Sequence, residues 1–417
     1  MKNVYDIRYE KKLTYILPEN VDASANVITK EKYRQVAVIL YLYYLDTLPI
    51  YYKYIDGIQN DIDVYIISSQ ENVLDEVRKH VIETGRTNIS YRLKENNGRD
   101  ISALLIESRC IIERYALVCF VHDKKERREE LKKDTDLWIE NLWGNLIGGS
   151  KYIDNVLRLF EGNQNIGILA PPDPIGDYFS TWYGYGWHGS FEITKELKEK
   201  LHLKADINPE KPPITIGTAL WFRSKALQKL FDMEWKYTDF DDRQLKESNY
   251  LSYGIERIFA YVAQDAGYDT GEIMSISYAQ KQNNYLHYAT AQIMGATKEF
   301  FPIPTIAALE DYKRNLPQFI EFARKNERLF LYGAGIMGKF CANLLRRENI
   351  KITGFIVSGN IENSLVSGVE IFSLKDMDDL YNSNMGVVIT ALDESVRKEM
   401  IKNLENKGII NFIEFWK

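Results

Sequence analysis

Three apolar runs constrain this chain more than any other feature: QVAVILYLYY at residues 35–44, DVYIISS at 63–69 and ALVCFV at 116–121. Each has the length of a strand and offers apolar residues to both faces, the pattern of a strand buried inside a parallel sheet. Stretches with helical spacing separate them, at 48–58, 71–84 and 101–115, with one further short strand at 88–93. Strand and helix alternating in this way predict βαβ units, and hence an α/β fold. A chain of 417 residues would overgrow a single core. The expected organisation is a leader at 1–34, a large α/β domain at 35–300, a linker helix over 301–326 and a small Rossmann-like α/β domain at 327–417.

Charge gathers where the strands end, and the carboxyl edge of an open α/β sheet is where such folds hold their ligands. The strand at 116–121 runs directly into His122-Asp123-Lys124-Lys125, and the one at 88–93 is followed by Asn97-Gly98-Arg99-Asp100. The Asn-Gly pair tolerates positive φ, Arg99 brings a guanidinium able to grip a phosphate in two places, and Asp100 is placed to cap the next helix or to hold Arg99. The plain alternatives are an ordinary turn with its cap and, after Asp123, the solvated start of a charged helix. A departing diphosphate develops negative charge, and Lys124 and Lys125 are cations at the right edge to meet it. Asp123 alone supplies an acid there for a divalent ion such as Mg2+ or Mn2+, so the ammonium groups are candidates to replace the metal. Tyr41 and Ser69, which close the first two strands, belong to the same expected donor-binding edge.

A second group lies further on. Glu256 precedes Arg257 on a helix and is the candidate general base, with Asp241 and Asp242 as the alternative carboxylates. Arg257 either keeps that carboxylate ionised or contacts phosphate itself. Gly217-Thr218 opens a short strand where a missing side chain lets backbone approach a sugar, and Trp221 on that strand offers a stacking face, against the plain reading of a core aromatic. Trp182, Tyr183 and Trp187 fall in DYFSTWYGYGWH at 177–188. A run so rich in rings suits an acceptor-binding surface, a membrane-interface belt or a lid, or else a satellite core.

In order along residues 35–270, the motifs VAVILYLYY, NNGRDI, VHDKK, IGILAPP, GTALWFRSKAL and YGIERIFAYVAQDAGY resemble the rhamnan synthesis protein F family of bacterial polysaccharide glycosyltransferases. The chain departs from that pattern at Tyr41, where a histidine is expected, and at Glu126. The resemblance implies a GT-A-like domain, a Rossmann-like nucleotide-binding half followed by an acceptor half. It also implies inverting transfer of L-rhamnose or a related deoxysugar from a dTDP-sugar to a growing polysaccharide on a polyprenyl lipid. A non-catalytic nucleotide-sugar-binding scaffold of the same pathway is the rival reading.

The C-terminal portion carries its own signal. Gly333-Ala334-Gly335-Ile336-Met337-Gly338 follows a strand and opens a helix, the setting of a nucleotide-binding loop. The acid that NAD binders carry about 20 residues on is missing, which leaves an NAD-dependent oxidoreductase as a distant third reading. The net charge of -6 gives no general attraction to nucleic acid. Cys110, Cys119 and Cys341 lack metal-ligand spacing, as expected of core thiols in a reducing compartment. With no run of the ~20 apolar residues a membrane span needs, the expected location is cytoplasmic, with peripheral membrane contact left open.

Overall fold

The computed structural model describes residues 13–20, 28–126, 128, 131–176, 187–210, 213, 215, 217–240, 250–297, 306–359, 361, 365–382 and 384–416. The chain divides into two compact units, Met1–Tyr285 and Leu286–Lys417.

The described residues of the first unit build an eight-stranded sheet from β1 (Leu13–Leu17), β2 (Val36–Tyr41), β3 (Asp63–Ser68), β4 (Ile89–Leu93), β5 (Leu117–His122), β6 (Ile166–Ala170), β7 (Leu220–Arg223) and β8 (Asp269–Ser275). Their order is β1-β8-β6-β7-β5-β2-β3-β4, and every pair is parallel except those that β7 makes with β5 and β6. The two-sided burial expected of 35–44 is present. Val36, Val38 and Leu40 enter one core, Ala37, Ile39 and Tyr41 the other, and β5 divides its residues likewise. Helices therefore cover both faces, as parallel sheets require. From β2 the chain steps outward to β3 and β4, then returns to β5 on β2's other side. This reversal opens a crevice between the carboxyl ends of β2 and β5, where Tyr41 pairs in register with His122.

Several expectations need correction. The 1–34 leader contributes β1, which pairs with β8 and makes the outer edge of the sheet. No helix starts at Lys124; the described residues 123–126 are irregular, and the helix begins at Lys132–Ile139. The helix after the Asn-Gly turn starts at Arg99–Ser102 and widens into a π-turn over Ala103–Glu107. Trp221 is fully buried between the strands and their covering helices, its indole N–H donating to the Leu146 carbonyl at 2.8 Å. Trp187 is also a core residue, bonded to the Asn208 carbonyl and packed against Phe191 and Tyr261. Neither ring offers a face to an acceptor. Trp182, Tyr183, Asp241 and Asp242 lie outside the described residues.

The second unit holds β9 (Arg328–Tyr332), β10 (Gly354–Val357), β11 (Leu365–Val366), β12 (Val369–Ser373), β13 (Met385–Ile389) and β14 (Phe412–Glu414) in the order β11-β12-β10-β9-β13-β14. All pairs are parallel except β11 with β12. The helix Ile306–Lys325, expected as a linker, sinks Phe319 and Ala323 into this unit's core and is one of its walls. A Cβ on Gly338 would lie 1.9 Å from the Gly333 carbonyl oxygen, so only glycine lets the helix Ile336–Arg347 pack this close to the loop after β9. Among the described residues, no helix of either unit is long and apolar enough to cross a membrane.

Candidate active site

The turn after β4 is built under strain. Gly98 and Arg99 both adopt positive φ, +71° and +49°, which a bulky residue such as arginine rarely accepts. A Cβ on Gly98 would meet Ser102 at 2.7 Å and Phe240 at 2.9 Å. Lys94, buried at the end of β4, holds the turn from beneath by donating to the carbonyls of Glu95 (2.7 Å) and Asn97 (3.1 Å) and to Ser69 Oγ (3.2 Å). The Tyr41 hydroxyl lies 3.2 Å from the same Ser69 oxygen. Asn97 is a fastener, its amide donating to the Tyr237 carbonyl at 2.7 Å. The frame thus keeps Arg99 exposed at the rim while turning Asp100 inward.

Asp100 meets the residues that close β5. Its carboxylate lies 3.6 Å from Nε2 of His122, whose Nδ1 is 3.1 Å from the Asp123 carbonyl oxygen. Burial works against the Asp100 charge, but His122, Lys124 and Arg99 outweigh it and hold the carboxyl down to about 2. Burial, with Lys124 and Arg99 adding repulsion, pushes His122 down to about 4, so the imidazole is neutral at physiological pH.

Asp123 and Lys124 are adjacent in sequence and do different things. Asp123 Oδ2 accepts the backbone N–H groups of Tyr43 (2.7 Å) and Tyr44 (2.8 Å), tying down the loop after β2. Burial lifts its carboxyl to about 7 in spite of those bonds. Lys124 is gripped through its backbone by the Tyr51 hydroxyl, which donates to its carbonyl and accepts from its N–H. Its ammonium rests 4.1 Å from the centre of the Trp138 ring, and burial lowers its pKa. Lys125 points elsewhere, pairing with Asp46 at 2.5 Å on the surface, so the structure does not bring it into the cluster.

The antiparallel β7 carries its beginning to this same edge. Gly217 and Thr218 line a pocket together with His122, Lys124, Trp138 and Glu272. The Thr218 hydroxyl is buried and faces the Asp100 carboxylate, with no partner in ordinary hydrogen-bond geometry. The helix Leu251–Asp265 supplies the remaining members, Glu256 and Arg257, which pair at 3.2 Å. Glu256 stands in the second turn of that helix with its side chain 21% exposed. Burial raises its pKa, assisted by Asp100 and opposed by Arg257 and Lys124. The result is a half-buried carboxylate with a strengthened appetite for a proton, among cations suited to an anion.

No cluster of three or more His, Cys, Asp or Glu side chains able to hold a metal ion forms among the described residues. Asp123, the expected ligand, is committed to two backbone amides and does not fit that role. Sequence reasoning missed Lys94, Trp138 and the partnerless Thr218 hydroxyl. Only Lys94 left a trace, a lone charge closing a strand.

The family model for rhamnan synthesis protein F matches residues 1–268. The chain belongs to the rhamnan synthesis protein F family. The matched span holds every member of the charged cluster and stops within the first unit. Membership makes this chain a glycosyltransferase homologue of polysaccharide synthesis. No curated protein matches it. Among solved structures, a mannosyltransferase from Pyrobaculum calidifontis in complex with GDP-Man and Mn2+ aligns with 10% identity and a TM-score of 0.33, over 76% of this rhamnan synthesis F chain and 68% of its own.

Proposed function

We propose that the first unit is an inverting glycosyltransferase that moves a sugar from a nucleoside diphosphate to a saccharide hydroxyl. The observation that carries this reading is the half-buried Glu256 carboxylate with its raised pKa, set beside Lys124 and Asp100 at the switch-point edge. An acceptor hydroxyl oxygen attacks the anomeric carbon, and its proton passes to Glu256. The bond from that carbon to the diphosphate oxygen breaks, and the electron pair leaves with the phosphate. A base with a raised pKa is matched to this task near neutral pH. Arg99 and Lys124 stabilise the charge that develops on the leaving diphosphate, and burial makes a fixed cation worth more there than in water. Family membership supports L-rhamnose or a related deoxysugar on dTDP as the donor. It equally supports a growing polysaccharide or polyprenyl-linked saccharide as the acceptor, met at the cytoplasmic face of the membrane.

Two measurements test this. Calorimetric titration of the full chain with dTDP, UDP and GDP, each with and without Mg2+ or Mn2+, identifies the donor base and the ion requirement. Replacing Glu256 by Gln then separates enzyme from scaffold, because an enzyme loses turnover of the dTDP-sugar while keeping its nucleotide. Failure of all three nucleotides to bind under either condition overturns the proposal.

A further inference from the structure

Arg257 presents an unfinished arrangement. Its side chain is 7% exposed, and Nη1 donates to the Tyr253 carbonyl at 3.0 Å and to Glu256 at 3.2 Å. Its Nε is buried with no partner at all. A buried guanidinium N–H left unpaired costs roughly 1–3 kcal/mol, which a ligand oxygen would recover. Arg257 also lies on a different flank of Glu256 from the leaving-group cations. The largest influences on Asp100, His122 and Lys124 come from one another and from Arg99. Arg257 acts instead on Glu256 and on His188, an exposed residue whose positive φ turns it toward this side. Tyr253, one helical turn before Arg257, feels both Arg99 and Arg257 and stands between the two flanks.

The base thus has a cationic group on each side, although a single leaving diphosphate needs only one of them. We propose that Arg257 forms a second anion site, and that the acceptor is an acidic saccharide carrying a phosphate or carboxylate close to the hydroxyl that reacts. This rests on Glu256 being the base, and it assigns Arg257 to the acceptor instead of the donor. The buried Nε, with Nη1 fixed on Tyr253 and Glu256, gives the guanidinium one direction in which to receive an oxyanion.

The test is a titration of the full chain, saturated with whichever nucleoside diphosphate binds, using glucose 1-phosphate, glucuronate and glucose. The expected result is that one of the acidic sugars binds about tenfold or more tighter than glucose, a gap of about 1.4 kcal/mol. Which of the two it is identifies the anion as phosphate or carboxylate. Arg257→Gln is expected to erase the preference while leaving nucleotide affinity within about twofold, and Arg257→Lys, which keeps a charge, to retain part of it. Equal binding of all three sugars overturns the inference, as does a loss of nucleotide affinity in Arg257→Gln as large as the loss of acidic-sugar binding. If no nucleoside diphosphate binds but the Arg257-dependent preference persists, the transfer reading fails and the anion site stands.

Discussion

Both units reverse their strand order, between β2 and β5 in the first and between β9 and β13 in the second, and both therefore open a crevice at a carboxyl edge. What lines the two crevices differs. The first gathers Asp100, His122, Lys124 and Glu256, whose ionisation each is shifted by its neighbours. At the second, polar groups satisfy one another: the Tyr332 hydroxyl lies 2.5 Å from Ser358 Oγ, and Thr390 donates to the Tyr332 carbonyl at 2.8 Å. Packing decides that a crevice exists and where it lies. Chemistry comes from charges left unsettled there, and the first unit alone displays them among its described residues.

The sharpest way to break this contrast is Glu256→Gln. Transfer is expected to fall by roughly 10²–10⁴ with nucleotide affinity retained, as read by steady-state rates and calorimetry on the same sample. Next comes Gly338→Ala, whose new methyl must displace the Gly333 carbonyl. It is expected to destabilise the second unit by about 3 kcal/mol while sparing transfer, and a transfer rate that fell with the melting temperature would tie the two units' functions together.

Asp123→Asn probes the quieter carboxylate. Burial has raised Asp123 above the unfolded value to about 7, so the folded state holds a proton that the unfolded chain releases. Its contribution to stability is therefore full below about pH 4 and is lost as pH climbs through the folded value. Asn has no proton to lose and can still accept the two loop amides. The variant should flatten that decline, by at most about 4 kcal/mol, in denaturant melts followed by tryptophan fluorescence, since Trp416 is the one tryptophan outside the first unit. The smallest effect belongs to Lys125→Gln. Its ammonium pairs with Asp46 at the surface, so nucleotide affinity should stay within about twofold; a larger loss would return this lysine to the diphosphate.

Much of the architecture was legible because two-sided burial leaves little room in composition. β2 and β5 could hardly be anything but inner strands, and the helix at Glu71–Thr84 shows its apolar spacing openly. β1 escaped notice because it is an edge strand of alternating exposure, and its partner β8 lies at the opposite end of the unit. Among site residues, Arg99, Asp100, Lys124 and Glu256 were readable as charge at strand and helix ends. The separate fates of Asp123 and Lys124 were not, since they depend on Tyr43, Tyr44 and Tyr51, far away in sequence. Trp221 and Trp187 show the same limit from the other side, because a ring on a strand or loop carries no mark of whether a sugar or a neighbouring helix will cover it.

The pairing of β1 with β8 also has a meaning in time. Leu13 lies opposite Gly271, so during synthesis the strand that emerges early waits for nearly the whole unit before its only partner exists. Until then β1 is an unpaired ribbon, and β8 would arrive with an open side able to accept a stray strand from another chain. Yield and solubility should therefore be sensitive to how fast ribosomes cross the stretch between them, and a chain cut just after Leu17 should assemble its inner strands yet associate through the bared flank of β8.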